Sequence, residues 1–186
     1  MFMDDKERAF VVEQLRMSEA RVLALLDGLT AEQWAFREGP ERWSIADILE
    51  HLILFERFVR GAVLKMLESD AEPEKMSAVG AKLPAVMKIA EARDVRIEAR
   101  EVVRPTGRWH DTGAMISMLQ RERAKTIVFA ESTDADLRCH FFAHLLLGDL
   151  DAYQWLVLMA KHSERHALQI EEVTKDLRYP MSASLA

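Results

Sequence analysis

The 186-residue chain is poor in the residues that cross-link or interrupt a fold: it has one cysteine, Cys139, five prolines and seven glycines. A single cysteine excludes an internal disulfide and any cysteine-rich zinc site, and it fits a reducing compartment. So few glycines and prolines argue against an all-β sandwich, which needs a turn about every dozen residues. No stretch approaches the roughly 18 consecutive apolar residues of a membrane span. The N-terminus carries Asp4 and Asp5 and no long apolar run, so it does not read as a signal peptide. A cytoplasmic location is expected. Lys plus Arg number 25 against 31 Asp plus Glu, a net charge of −6, and the cations are interspersed rather than striped with aromatics. That distribution excludes the dense cationic surface of a nucleic-acid binder.

What is present is an ordinary globular balance, 49% apolar and 30% charged, in a length that suits one compact domain. Residues 1–178 are expected to form it, with 179–186 as a flexible tail. Phe10, Val11, Leu15, Val22, Leu25 and Leu26 recur near a helical period, so a first helix is expected over 4–27, ended by Gly28. In LTAEQW, Thr30 can cap a helix, with Gln33 three residues on and Leu29 and Trp34 placed as a hydrophobic staple. In WSIADI, Ser44 caps, Asp47 follows at the third helical position, and Trp43 can staple onto Ile48. A second long helix is expected from Ile45 to Leu67, a third from Gly113 to Glu131 behind Asp111 or Thr112, and a fourth from Leu150 to Leu177. The connection 69–111 is polar and broken by Pro73 and Gly80. It should hold a short helix from Leu83 to Ala92, then an extended stretch closed by Pro105 and Gly107. The 132–149 loop is apolar enough to pack on the helices. The expected architecture is all-α, a four-helix bundle with one long crossover connection that spans the bundle or covers a site.

On the fourth helix, a wheel advancing about 100° per residue places Trp155, Met159, His166, Gln169 and Val173 within about 60° of His162. Two imidazoles therefore stand where the flanking pattern wants core residues, four apart on one face and spaced to share a metal ion. Buried imidazoles need partners; hydrogen bonds can supply them, and a metal ion is the sharper reading. Such a site takes three or more protein donors. His51, at the inner edge of the stripe formed by Ile48, Phe55 and Val59, is the candidate third. His140 and His144 are a rival pair in the 132–149 loop, ranked second, with His144 the nearer of the two to a site. His110, beside Trp109, reads as a surface residue. The run H-S-E-R-H is not the zincin H-E-x-x-H, because Ser163 fills the glutamate position and Glu164 points about 160° to 200° from both rings. On the third helix, Met115, Met118, Leu119, Thr126 and Phe129 mark the inward face, and Glu122 falls within it as a candidate catalytic base, unless the helix is rotated and leaves it solvated. Trp155, Met159, Gln169, Phe55 and His144 are the candidate substrate-binding residues. Cys139 has no evident base and reads as a small buried hydrophobe.

RWSIADILEHLILFE, followed far downstream by HLLLGDLDAYQWLVLMAKHSERHALQI, resembles the DinB/YfiT-like family over roughly residues 5–175. In that family a W-S-I/V stretch ending in histidine gives one metal ligand, and H-x-x-x-H-x-x-Q-I gives two. The resemblance implies that His51, His162 and His166 are those ligands, in a four-helix bundle, often dimeric, that binds nickel, zinc or a similar divalent ion. It also implies the activities of characterised members, which are thiol-dependent transferases and isomerases using a low-molecular-weight thiol, and some hydrolases. Relatives commonly read H-P-x-x-G where this chain has His144-Leu145-Leu146-Leu147-Gly148. The expected function is a divalent-metal-dependent, thiol-linked transferase or hydrolase acting on a small molecule. Nickel or zinc is the expected cofactor, no nucleic-acid or membrane partner is expected, and a homodimer is allowed. Two other readings stand beside it: a non-catalytic metal-binding or stress-related bundle, and an interaction bundle without metal.

Overall fold

In the computed structural model, which describes residues 3–91 and 98–181, every long helix starts at a side-chain acceptor for its otherwise free N–H groups. Asp4 caps α1 (Asp5–Leu26) in a capping box with Glu7. Thr30 and Gln33 form the same box on the short α2 (Ala31–Ala35), as do Ser44 and Asp47 on α3 (Ile45–Met66). The crossover is more helical than Pro73 and Gly80 suggest. A 3-10 turn at Pro73–Lys75 leads into α4 (Met76–Gly80) and α5 (Leu83–Met87), the last shorter than the helix expected to Ala92. The stretch expected to be extended falls in part on 95–97, outside the described residues. Its remainder forms no strand and carries a 3-10 turn at Glu101–Val103.

Asp111 caps α6 (Thr112–Ser132). The 132–149 segment then forms a feature not expected from sequence, an antiparallel hairpin of β1 (Phe141–His144) and β2 (Gly148–Asp151) that pairs Phe142 with Leu150. Gly148 turns the chain back at φ +65°, a left-handed conformation that favours glycine. Lys82 ties the hairpin to the crossover by donating to the Leu147 and Asp149 carbonyls at 2.9 and 2.8 Å. Asp151 caps α7 (Ala152–Thr174), so the last helix starts after Leu150, which belongs to the strand, and ends before the expected Leu177.

α1 packs on α6 and α7, and α3 packs on the same two, so α1 and α3 face each other diagonally across a four-helix bundle. The fold is all-α apart from the small hairpin. Its core falls into two apolar clusters. One, at the hairpin end, includes Leu15, Val59, Val63, Ile127 and Leu156; the other, at the α2 end, includes Leu26, Trp34, Ile48, Leu119 and Ile170. Between them lies a buried polar layer with one residue from each long helix: Ser18, Glu56, Arg123 and Ser163. Arg123 Nη2 lies 2.9 Å from the Glu56 carboxylate and donates to Ser163 Oγ at 2.8 Å, while Nη1 donates to Ser18 Oγ at 3.1 Å and the Leu15 carbonyl at 3.0 Å. Near the C-terminus, Tyr179 packs edge-on against Phe36 and the Pro180 carbonyl accepts from Gln33, while 182–186 lie outside the described residues. Among the described residues no helix is long and apolar enough to cross a membrane.

Candidate metal centre

The apolar face of α3 runs through Ile48, Leu52 and Val59, and His51 is carried inward with it, only 3% exposed. His162 and His166 project from α7 one turn apart, the first half-buried and the second 6% exposed. One donor nitrogen of each ring lies within 4.8 Å of the other two. The Nε2 atoms of His51 and His162 are 2.8 Å apart, and the His166 ring centre is 4.7 Å from that of His51 and 4.5 Å from that of His162. Two distant stretches of chain thus bring all three imidazoles together.

The outer nitrogens decide what the inner ones can do. Val103 offers His51 Nδ1 only a carbonyl, at 2.7 Å, so that nitrogen carries the proton and Nε2 keeps its lone pair. His166 Nδ1 lies 2.9 Å from Gln169 Oε1, also an acceptor, which leaves Nε2 as its coordinating atom. Anchoring the second ring nitrogen in this way fixes tautomer and orientation, as metal-binding histidines require. Burial pushes the pKa of His51 down to about 4, against the Val103 hydrogen bond that favours the charged ring. Burial, and then the neighbouring His166 and His51, hold His162 well below the ordinary histidine value. Neutral rings are donors, and three of them could hold a divalent metal ion.

Val103 is itself held in place. Glu50, next to His51 and 1% exposed, accepts from the Thr106 and Gly107 amides and from Arg108 Nε, each at 2.9 Å. Gly107 adopts φ +71° here, so the turn that aims these donors at one carboxylate favours glycine. Residues 103–108 therefore form a strap clasped to α3 by two adjacent side chains. Trp43 stacks on His166 at 6.1 Å and lies 4.9 Å from His51, while Phe55 stacks on His162 at 3.7 Å. The rings border a cavity of about 680 Å³, lined also by Phe58, Trp155, Leu158, His144, Gln169, Glu41, Glu98 and the arginines 42, 100, 104 and 165.

Of the residues expected to meet a substrate, Phe55, Trp155, Gln169 and His144 line this cavity. Met159 does not. The cavity follows Trp155, Leu158, His162 and Arg165 along α7, and Met159 stands one step round the helix, 1% exposed in the hairpin-end core. Glu122, the expected catalytic base, also lies away from the cavity lining. Glu122 is buried with Met115, Leu119, Arg123, Thr126 and Ile127 on α6, but its carboxylate is taken up by Arg60, by Arg57 at 3.2 Å and by Lys125 at 3.2 Å. Burial alone would raise its pKa, but the hydrogen bonds from Arg60 and Lys125 hold it below the usual carboxylate value, where it is a poor base at neutral pH.

His140 and His144 join no metal-capable group among the described residues. His144 Nδ1 instead accepts from the Leu146 and Leu147 amides of the hairpin turn, both at 3.2 Å. His110 is exposed, and Glu164 turns to Arg21 at 2.7 Å. Burial raises the Cys139 thiol pKa, in keeping with an inert buried thiol. Sequence reasoning missed Trp43 as a wall of the site, Glu50 as a clasp and Val103 as an anchor. Trp43 carries a signal in the W-S motif, and its ring serves the site as well as the helix start. Val103 acts through its backbone, which leaves no trace in residue type.

No curated protein and no solved structure gives a significant match to this chain. The DinB superfamily model matches residues 14–170, a span that contains all three histidines and the strap, and the chain therefore belongs to the DinB superfamily.

Proposed function

We propose that this protein is a divalent-metal-dependent enzyme acting on a small organic molecule, by transfer of a low-molecular-weight thiol or by hydrolysis, with nickel or zinc held by His51, His162 and His166. The observation that carries the reading is the anchoring of His51 on the Val103 carbonyl and of His166 on Gln169, which sets both rings to present Nε2 to one point. When bound, a divalent ion between neutral imidazoles supplies Lewis acidity, lowering the pKa of a thiol or water beside it. The chain does the rest. Trp43 and Phe55 cover the faces of the rings, and Phe58, Trp155 and Leu158 provide apolar walls for a ligand body. A closed structural centre needs a fourth protein donor. Among the described residues no fourth group joins the three histidines, which border the open cavity instead.

Elemental analysis of the purified protein tests the reading. About one divalent ion per chain is expected, and His162→Ala should remove it while circular dichroism still reports a folded helical protein. Metal content unchanged in that variant would overturn the proposal. The metal-loaded protein is then the form to assay against electrophilic acceptors with a panel of low-molecular-weight thiols.

A further inference from the structure

The cavity that borders the histidines carries an uneven charge. Four arginines line it against two glutamates. Arg104 is paired with Glu98 at 2.7 Å, and Arg42 with Glu38 at 2.8 Å. Arg100 is different: among the described residues it has no carboxylate partner, and its guanidinium lies 5.9 Å over the Phe142 ring. Phe142 lies 5.5 Å from Trp155, and Trp155 lies 5.6 Å from His144, so the Arg100 cation and an imidazole flank one aromatic surface. His144 has its tautomer set by the hairpin turn. Two amide donors occupy Nδ1, which places the ring proton on Nε2 and makes the ring a hydrogen-bond donor rather than a base. A guanidinium and an N–H donor beside apolar walls match a singly charged oxyanion on an apolar body.

We propose that Arg100 and His144 form the recognition site for the carboxylate of a small amphipathic ligand, whose apolar body lies along Trp155 and Phe58 toward the three histidines. The proposal rests on reading this cavity as the substrate pocket, but the head-group site is built from residues outside the metal set and is complete without an ion. Arg100 is three residues before Val103, whose amide donates to the Arg100 carbonyl at 3.0 Å, so the strap that orients His51 also positions the head-group cation. A carboxylate at this place would be held by the same chain segment that sets the imidazole it approaches.

Calorimetric titration of the full-length chain, metal-free and metal-loaded, with phenylpropionate, phenylpropanol and phenylpropylamine tests this, since the three probes share one body and differ in the head. The metal-free chain should bind the acid about tenfold more tightly than the alcohol, as a charge-assisted hydrogen bond implies, and the amine most weakly. Arg100→Gln should bring the acid to the affinity of the alcohol and leave the alcohol unchanged, with Arg100→Lys in between. His144→Asn keeps an acceptor for the turn amides and removes the Nε2 donor, so it should weaken the acid severalfold and spare the alcohol. Equal affinity of acid and alcohol, an acid preference that survives Arg100→Gln, or no binding of any probe would each overturn the proposal. Acid binding confined to the metal-loaded chain would also overturn it while leaving the metal centre standing. Conversely, the expected preference in a chain that takes up no metal would support the head-group site and remove the metal reading.

Discussion

A buried imidazole is a base that the fold keeps unprotonated, and His51 makes the cost of doing so measurable. Its pKa falls from 6.5 when exposed to about 4 in the folded chain, through burial. Between these values the unfolded chain binds a proton that the folded chain refuses, so unfolding is favoured as pH falls through that window and stability rises again toward neutrality. The shift corresponds to about 3 kcal/mol over the full window. Urea unfolding of the metal-free protein at neutral pH and near pH 4 should therefore show wild type losing stability relative to His51→Phe, which has nothing to titrate there. A difference between the two that does not change with pH would contradict the assignment. These three histidines were legible in the sequence because an ionisable ring on an apolar face breaks a strong pattern. Glu122 breaks the pattern of its helix in the same way, yet it lies outside the lining of the cavity that borders the histidines. One residue type cannot reveal whether a neighbouring helix supplies arginines, and here α3 supplies Arg57 and Arg60.

Elements differ in how much of themselves they write into sequence. Capping signals at Thr30 and Ser44 are local grammar, and α2 and α3 start directly behind them. α6 is harder to orient, because Arg123 and Thr126 face inward while Val128 is exposed, so polarity and burial disagree along it. The strap is the least legible element, since its function lies in backbone groups held by long-range contacts. Glu50 is the test of that element. With its carboxylate removed, the Thr106 and Gly107 amides lose their acceptor, and the Val103 carbonyl is no longer pinned beside His51. Partners of this kind are worth about tenfold to a hundredfold in metal affinity. Glu50→Ala should lower affinity on that scale in a chelator competition, and Glu50→Gln, which keeps one acceptor oxygen, should lose less. Affinity unchanged in Glu50→Ala would mean that the strap does not orient His51.

At the scale of the molecule, the polar layer of Ser18, Glu56, Arg123 and Ser163 is what divides one bundle into two cores, and it lies beside His162 in the sequence of α7. Its charges are incompletely satisfied. Among the described residues Glu56 Oε1 and Arg123 Nε are buried without hydrogen-bond partners, so the pair is held more by mutual attraction than by a full set of bonds. Removing one member leaves the other charge uncompensated in the core, which costs about 3–5 kcal/mol. Removing both is a different matter. Ser18 and Ser163 already donate to the Leu15 and Met159 carbonyls, and so keep partners when Arg123 is gone. Arg123→Leu and Glu56→Leu should each destabilise strongly, while the double variant should recover most of the loss, joining the two apolar clusters into one. Denaturant unfolding of the four proteins in a double-mutant cycle measures this directly. Strictly additive losses would show that the layer stabilises the bundle through its hydrogen bonds to α1 and α7 rather than through the Arg123–Glu56 pair.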